Sequence, residues 1–254
     1  MVSKKKTSLY GPEDINFVIK ICSIGTFMFF SLGISTDFFL YGDNTTTDNK
    51  KWIFGFTFLT ICLSVLTFLF FSKKTSLIQK WGGSTTICLF SVSYLVTNSV
   101  INPYIFNSMP WHFQLLGLFI GIGANLWWTA YTAKSIHNIF YNPALAAILY
   151  KEEDNQFIYK NGIQQIIIEN KLKRHYLPNP IVWVILIPLQ PLSFFIHKII
   201  INNLGINYFT VFISALALPL SLMFNGLIVT TVLVYFYYPL KLRKLTGKYV
   251  GIEF

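Results

Sequence analysis

Long apolar runs separated by short, lysine-bearing segments make up most of the chain. A helix crossing a hydrocarbon core of about 30 Å needs roughly 20 predominantly apolar residues. Six runs approach or exceed that length: Ile15–Ser35, Trp52–Phe71, Ser84–Ile101, Phe113–Ala133, Ile181–Ile196 and Tyr208–Tyr238. Trp52–Phe71 carries no charge at all. Ser84–Ile101 is the most polar, so it is expected inside the bundle, where its hydroxyl and amide groups find protein partners. The last run holds 31 residues, about 46 Å of helix at 1.5 Å per residue, and so must tilt, kink or protrude. Pro219 and the pair Asn225–Gly226 in its middle favour a bend; a two-helix hairpin within the membrane is the alternative. The pattern predicts an all-α polytopic membrane protein of about six transmembrane helices, a single integral membrane domain over 1–254.

The segment 134–180 is long enough to be more than a connector. Up to Tyr150 it reads as a helix interrupted at Asn142 and Pro143, with Ile136, Ile139, Phe140, Leu145 and Leu149 spaced for one face. Beyond the acidic cluster Glu152, Glu153 and Asp154, Asn161–Gly162 separates two β-rich runs, Phe157–Lys160 and Ile163–Glu169. Asn–Gly is the strongest short hairpin signal, because a type I′ turn needs positive φ at both central residues. The expectation is a small cytoplasmic insert between helices four and five, a helix plus a β-hairpin turning at Asn161 and Gly162.

Charge orients this layout. The chain carries +10 at neutral pH, yet only two of its twenty basic residues are Arg, and the Lys sit beside apolar runs. This is a membrane-topology pattern and not a nucleic-acid footprint. Sixteen basic residues fall on the N-terminal segment, the loops after spans two and four, and the C-terminal segment. Only Lys50, Lys51 and Lys198 fall on the opposite side. Cytoplasmic loops are enriched in Lys and Arg, so both termini are expected in the cytoplasm. Lys20 lies near one end of span one, where it can snorkel. It also interrupts the apolar stretch that would otherwise resemble a cleaved signal peptide, so an uncleaved anchor is expected. Tryptophans gather near the expected span ends, as an interfacial belt requires.

Composition narrows the function. Of 254 residues, 54% are hydrophobic, 18% aromatic and 12% charged, which excludes an ordinary soluble domain, with roughly a quarter charged residues. Spans two to six hold no Asp, Glu, Lys, Arg or His in their cores. Ion-coupled transport, which relies on intramembrane carboxylates, therefore loses its usual residues. Histidines 112, 137, 175 and 197 are isolated, and no metal spacing, phosphate loop or nucleophile elbow is present. Cys22, Cys62 and Cys88 fall in apolar runs without paired spacing and read as small apolar filler. No cofactor and no catalytic residue is assigned. The Asn44 sequon matters only in a glycosylating host.

The polar groups that remain inside are uncharged. Ser84, Cys88, Ser91, Tyr94 and Asn98 follow helical spacing, and with Asn125, Gln190 and Asn225 they suggest a polar seam. Such a seam serves either as interhelical hydrogen bonds or as the lining of a pore. Gly117 and Gly121 form a GxxxG motif that admits a close helix neighbour. Three functions remain open: a non-enzymatic membrane interaction protein (accessory subunit, immunity-type protein or assembly factor), a passive channel or small-solute transporter using the seam, and an intramembrane lipid-modifying enzyme. The first leads because it alone requires no missing residues. The expected partners are the lipid bilayer and a protein partner or second copy, with no nucleic acid. The compact loops and AT-rich residue usage suggest a bacterial inner membrane.

Overall fold

The computed structural model describes residues 12–41, 77–106, 110–153, 156–171 and 208–253, with Phe58 and Cys62 as isolated helical residues. Span five, all of span two but Phe58 and Cys62, the sequon at Asn44, Gln190, His175 and His197 therefore lie outside the described residues.

Four long helices form the body: α1 (Pro12–Tyr41), α2 (Leu77–Phe106), α3 (Trp111–Tyr141) and α6 (Tyr208–Val232). The last continues through a π-helical turn (Leu233–Tyr237) into α7 (Tyr238–Thr246). Three segments are long and apolar enough to cross a membrane: Ile78–Ile105, Trp111–Tyr141 and Ser214–Thr246. A shorter apolar stretch, Ile19–Gly33, lies within α1. The final run is thus one continuous helical segment with Pro219 inside it, and the in-membrane hairpin is not what forms.

The packing contacts fix helix directions. Gly25 faces Cys88 and Gly33 faces Tyr94, so α1 and α2 run parallel. Gly117 lies against Tyr104 and Gly121 against Val100, so α3 runs opposite to α2. Ser93 meets Asn225 and Thr97 meets Ser221, so α6 also runs opposite to α2. As its polarity predicted, α2 is the inner helix, packed on α1, α3 and α6.

At the end where α2 starts and α3 and α7 finish, a small α/β cap closes the bundle. Asn142 ends α3 and caps α4 (Pro143–Leu149), its Oδ1 accepting from the amides of Ala144 and Leu145 at 3.1 and 3.4 Å, with Pro143 pre-set for the first helical position. Strand β1 (Lys151–Glu153) pairs antiparallel with β2 (Gln156–Lys160), and β3 (Tyr249–Glu253) adds in parallel on the other side of β2. Gly247, at φ +74°, ends α7 and turns the chain into β3.

The cap corrects two expectations. The fold is mostly helical, as expected, but the β-structure of the cap is a three-stranded sheet and not a lone hairpin. Nor does Asn161–Gly162 join two strands. Gly162 does adopt positive φ, at +88°, but the Ile-rich run that follows is helix α5 (Ile163–Lys171). Its Gln164 and Ile168 are buried while Ile163 and Ile166 are exposed. A helix buries one side of this run and, in doing so, covers β2. The hairpin in the segment lies one element earlier, between β1 and β2, and β2's second partner comes from residues about 90 positions further along the chain. The helical interruption at Asn142 and Pro143 is as expected, and Ile136, Ile139 and Leu149 are buried in the shared core, with Phe140 and Leu145 packed on it.

Candidate functional site

Two polar constructions stand out, one midway along the bundle and one where the bundle meets the cap. The first joins α2, α3 and α6. Asn225 Nδ2 donates to Asn125 Oδ1 at 2.5 Å, and Ser221 Oγ donates to the same oxygen at 2.8 Å. Ser93 Oγ donates to Asn225 Oδ1 at 2.6 Å, and the hydroxyls of Thr97 and Ser221 share a 2.8 Å bond. Asn125 Nδ2 donates to the Gly121 carbonyl at 2.8 Å. These groups satisfy one another, which a low-dielectric interior requires of buried polar groups.

The structure thus unites two of the five expected seam residues, Asn125 and Asn225. Gln190 lies outside the described residues. Ser91 is fully buried but donates to the Cys88 carbonyl of its own helix, and Asn98 is half-buried on the same helix. Of the stripe read from the sequence, Ser84, Cys88, Ser91, Tyr94 and Asn98, two members meet α1: Cys88 lies against Gly25, and Tyr94 against Gly33 and Phe30. The missed residues were Ser93, Thr97 and Ser221. Their signal was present as two polar pairs at i, i+4 spacing, Ser93/Thr97 and Ser221/Asn225, each lying along one helix face.

The GxxxG motif receives α2. A Cβ at Gly117 would overlap the Tyr104 ring, and one at Gly121 would lie 3.0 Å from Val100 Cγ1. Gly82 plays the same part at the cap end, where a Cβ would overlap Tyr235 of the π-helical turn.

The second construction is the π-helical turn itself. Pro239 has no N–H, so helices distort just before such a residue. The amide of Tyr238 donates back five residues to the Leu233 carbonyl. In that register Val234 O would require an N–H from position 239, which proline lacks. Tyr150, arriving from the cap, supplies the donor: its hydroxyl reaches Val234 O at 2.6 Å. Tyr235 Oη donates to Asn161 Oδ1 at 3.1 Å, so the turn is tied to both ends of the cap segment. Tyr150, Tyr159 and Tyr235 pack ring to ring. Burial, with the phenols of Tyr159, Tyr235 and Tyr238 around it, holds Tyr150 in its neutral form well above the ordinary tyrosine range.

Of the histidines read as isolated, His112 is exposed beside Trp111 and Phe113. His137 is not isolated: its Nδ1 lies 2.5 Å from the Tyr238 hydroxyl. No family model, curated protein or solved structure matches the chain.

Proposed function

We propose that this is a non-enzymatic membrane interaction protein, a rigid multi-span body that presents its cap to a protein partner. The observation that carries the reading is the closure of the polar seam. Asn125 Oδ1 takes two donors and Asn225 both donates and accepts, so Ser93, Asn125, Ser221 and Asn225 are engaged between helices and act as a lock. That use favours interhelical hydrogen bonding over a water-lined path.

Within this reading the chain crosses the membrane six times, with both termini and the cap in the cytoplasm. Helix directions support the count. α1 and α2 run the same way, so the intervening chain must return between them; likewise α5 lies in the cap while α6 starts at the opposite end. This reading assigns the returns to the apolar runs Trp52–Phe71 and Ile181–Ile196. The sixteen-to-three division of basic residues supports the orientation, and the bacterial inner membrane remains the favoured setting.

Flux through the purified full-length protein tests the reading. Proteoliposomes should hold sodium, potassium and small-solute gradients as tightly as protein-free vesicles. A leak that scales with protein and is abolished by Asn125→Leu would overturn the proposal and favour the channel.

A further inference from the structure

Beside the cap's core, where α3 ends and α7 begins, aromatic and basic side chains form a second cluster. The Tyr237 ring stands edge-on to His137, with centroids 5.6 Å apart, and His137 is held by Tyr238. Lys241 Nζ lies 5.6 Å from the centroid of the Tyr141 ring. Tyr141 is 75% exposed and Tyr237 45%, and Lys241 is exposed as well. Lys134 is exposed seven residues before Tyr141, two turns back on the same face of α3. Both helices belong to membrane-length segments, Trp111–Tyr141 and Ser214–Thr246, so this seam sits at the end of the apolar stretch.

Among the described residues the charges here have no carboxylate counterion: none comes within ion-pair distance of Lys134 or Lys241. The cap's Glu152 and Glu253 pair instead with Lys248 and Lys160, at 2.6 and 3.4 Å. A tyrosine face holds an ammonium while leaving its charge and N–H donors for another partner. Lys134, two turns inside a membrane-length helix, must extend its ammonium toward the headgroups. The surroundings are amphipathic: Trp127, 62% exposed, lies seven residues before Lys134 on the same face of α3 as Lys134 and Tyr141. Apolar flanks suit acyl chains, whereas an acidic peptide would leave them in water.

We propose that the α3–α7 seam, formed by Lys134, His137, Tyr141, Tyr237 and Lys241, binds the phosphate of an anionic phospholipid headgroup. The proposal rests on the bilayer placement of these two helices and not on the partner-protein reading, which survives its failure.

The test is native mass spectrometry of the full-length protein in detergent, with phosphatidylglycerol or phosphatidylcholine added. Phosphatidylglycerol should be retained in preference. The Lys134→Gln/Lys241→Gln variant should lose that preference by about 30-fold, the combined effect of two lysines at a headgroup. Arg243→Gln/Lys244→Gln removes the same charge elsewhere on α7, where Arg243 lies 4.3 Å over the Tyr249 ring, and should leave retention nearly unchanged. Equal loss in both pairs means diffuse attraction and overturns the site, as does equal retention of the two lipids. Displacement of phosphatidylglycerol by an equimolar oligoglutamate peptide would reassign the seam to an acidic protein and also overturn it. Lys134→Arg/Lys241→Arg, which keeps charge and stem, should restore binding; failure to do so in a variant of wild-type thermal midpoint counts against the proposal. The same comparison decides the matter if the double Gln variant does not fold.

Discussion

At the scale of single residues, the two asparagines are unequal. Asn125 Oδ1 accepts from both Asn225 and Ser221, whereas Asn225 Oδ1 accepts only the Ser93 bond described above. Replacing Asn125 with Leu therefore strands two donors, and replacing Asn225 strands one donor and one acceptor oxygen that has other use. A stranded buried group costs about 1–3 kcal/mol in general, but interhelical hydrogen bonds in membranes average nearer 0.6 kcal/mol. The expected order of destabilisation is Asn125→Leu, about 1–2 kcal/mol, then Asn225→Leu, then Ser93→Ala. The double Asn variant should cost less than the sum of its singles, because both delete the same bond. Unfolding in mixed micelles measures this, and strict additivity would mean the lock is not a unit. Both residues were legible in the sequence, because an amide in an apolar run must find a partner. Their hydroxyl partners were not assigned, since the Ser93/Thr97 pair lies beside the longer stripe on α2 and helical spacing alone does not say which face meets α1.

Among the elements, the π-helical turn shows how a local fault is answered from a distance. Pro239 was visible as the end of an apolar run, and its missing N–H predicts a disturbed turn. That Tyr150, 84 positions before Val234, would supply the missing bond depends on how the cap packs, and no local pattern encodes it. The same limit explains the misread hairpin. Asn161–Gly162 did signal a turn with positive φ, but whether a helix or a strand follows was decided by β3 occupying the β2 edge. With that edge taken, the Ile-rich run packs as a helix. Tyr150→Phe should cost about 1 kcal/mol at pH 8, as loss of one buried hydrogen bond. The buried phenol's pKa is raised in the folded state, so its contribution is complete below the ordinary tyrosine value of 10.0 and is lost as pH climbs beyond it toward the raised value. The thermal midpoint of the wild type should therefore fall between pH 9 and 11. That of Tyr150→Phe should fall less. Parallel curves for the two proteins would remove Tyr150 from the alkaline response.

For the whole molecule, the parallel pairing of β2 with β3 has a consequence for topology that hydropathy could not supply. Phe157 lies opposite Val250 and Tyr159 opposite Ile252, so the segment after α3 and the segment after the final helix share one sheet and must share one side of the membrane. Trp111 starts α3 at the far end of the bundle, 71% exposed. Single cysteines placed in a background with Cys22, Cys62 and Cys88 changed to Ser convert this into labelling by a membrane-impermeant maleimide. Lys151→Cys and Tyr249→Cys occupy exposed positions of the sheet. They should react together, in inverted vesicles only, if the cap is cytoplasmic. Trp111→Cys should react in right-side-out vesicles only. The outcomes separate the claims: if the two cap cysteines label from different sides, the sheet is wrong. If they label together from outside, the fold stands, and only the orientation inferred from Lys and Arg falls. Concordant labelling of all three would place Trp111 at the cap end, which its antiparallel packing through Gly117 and Gly121 against Tyr104 and Val100 does not allow.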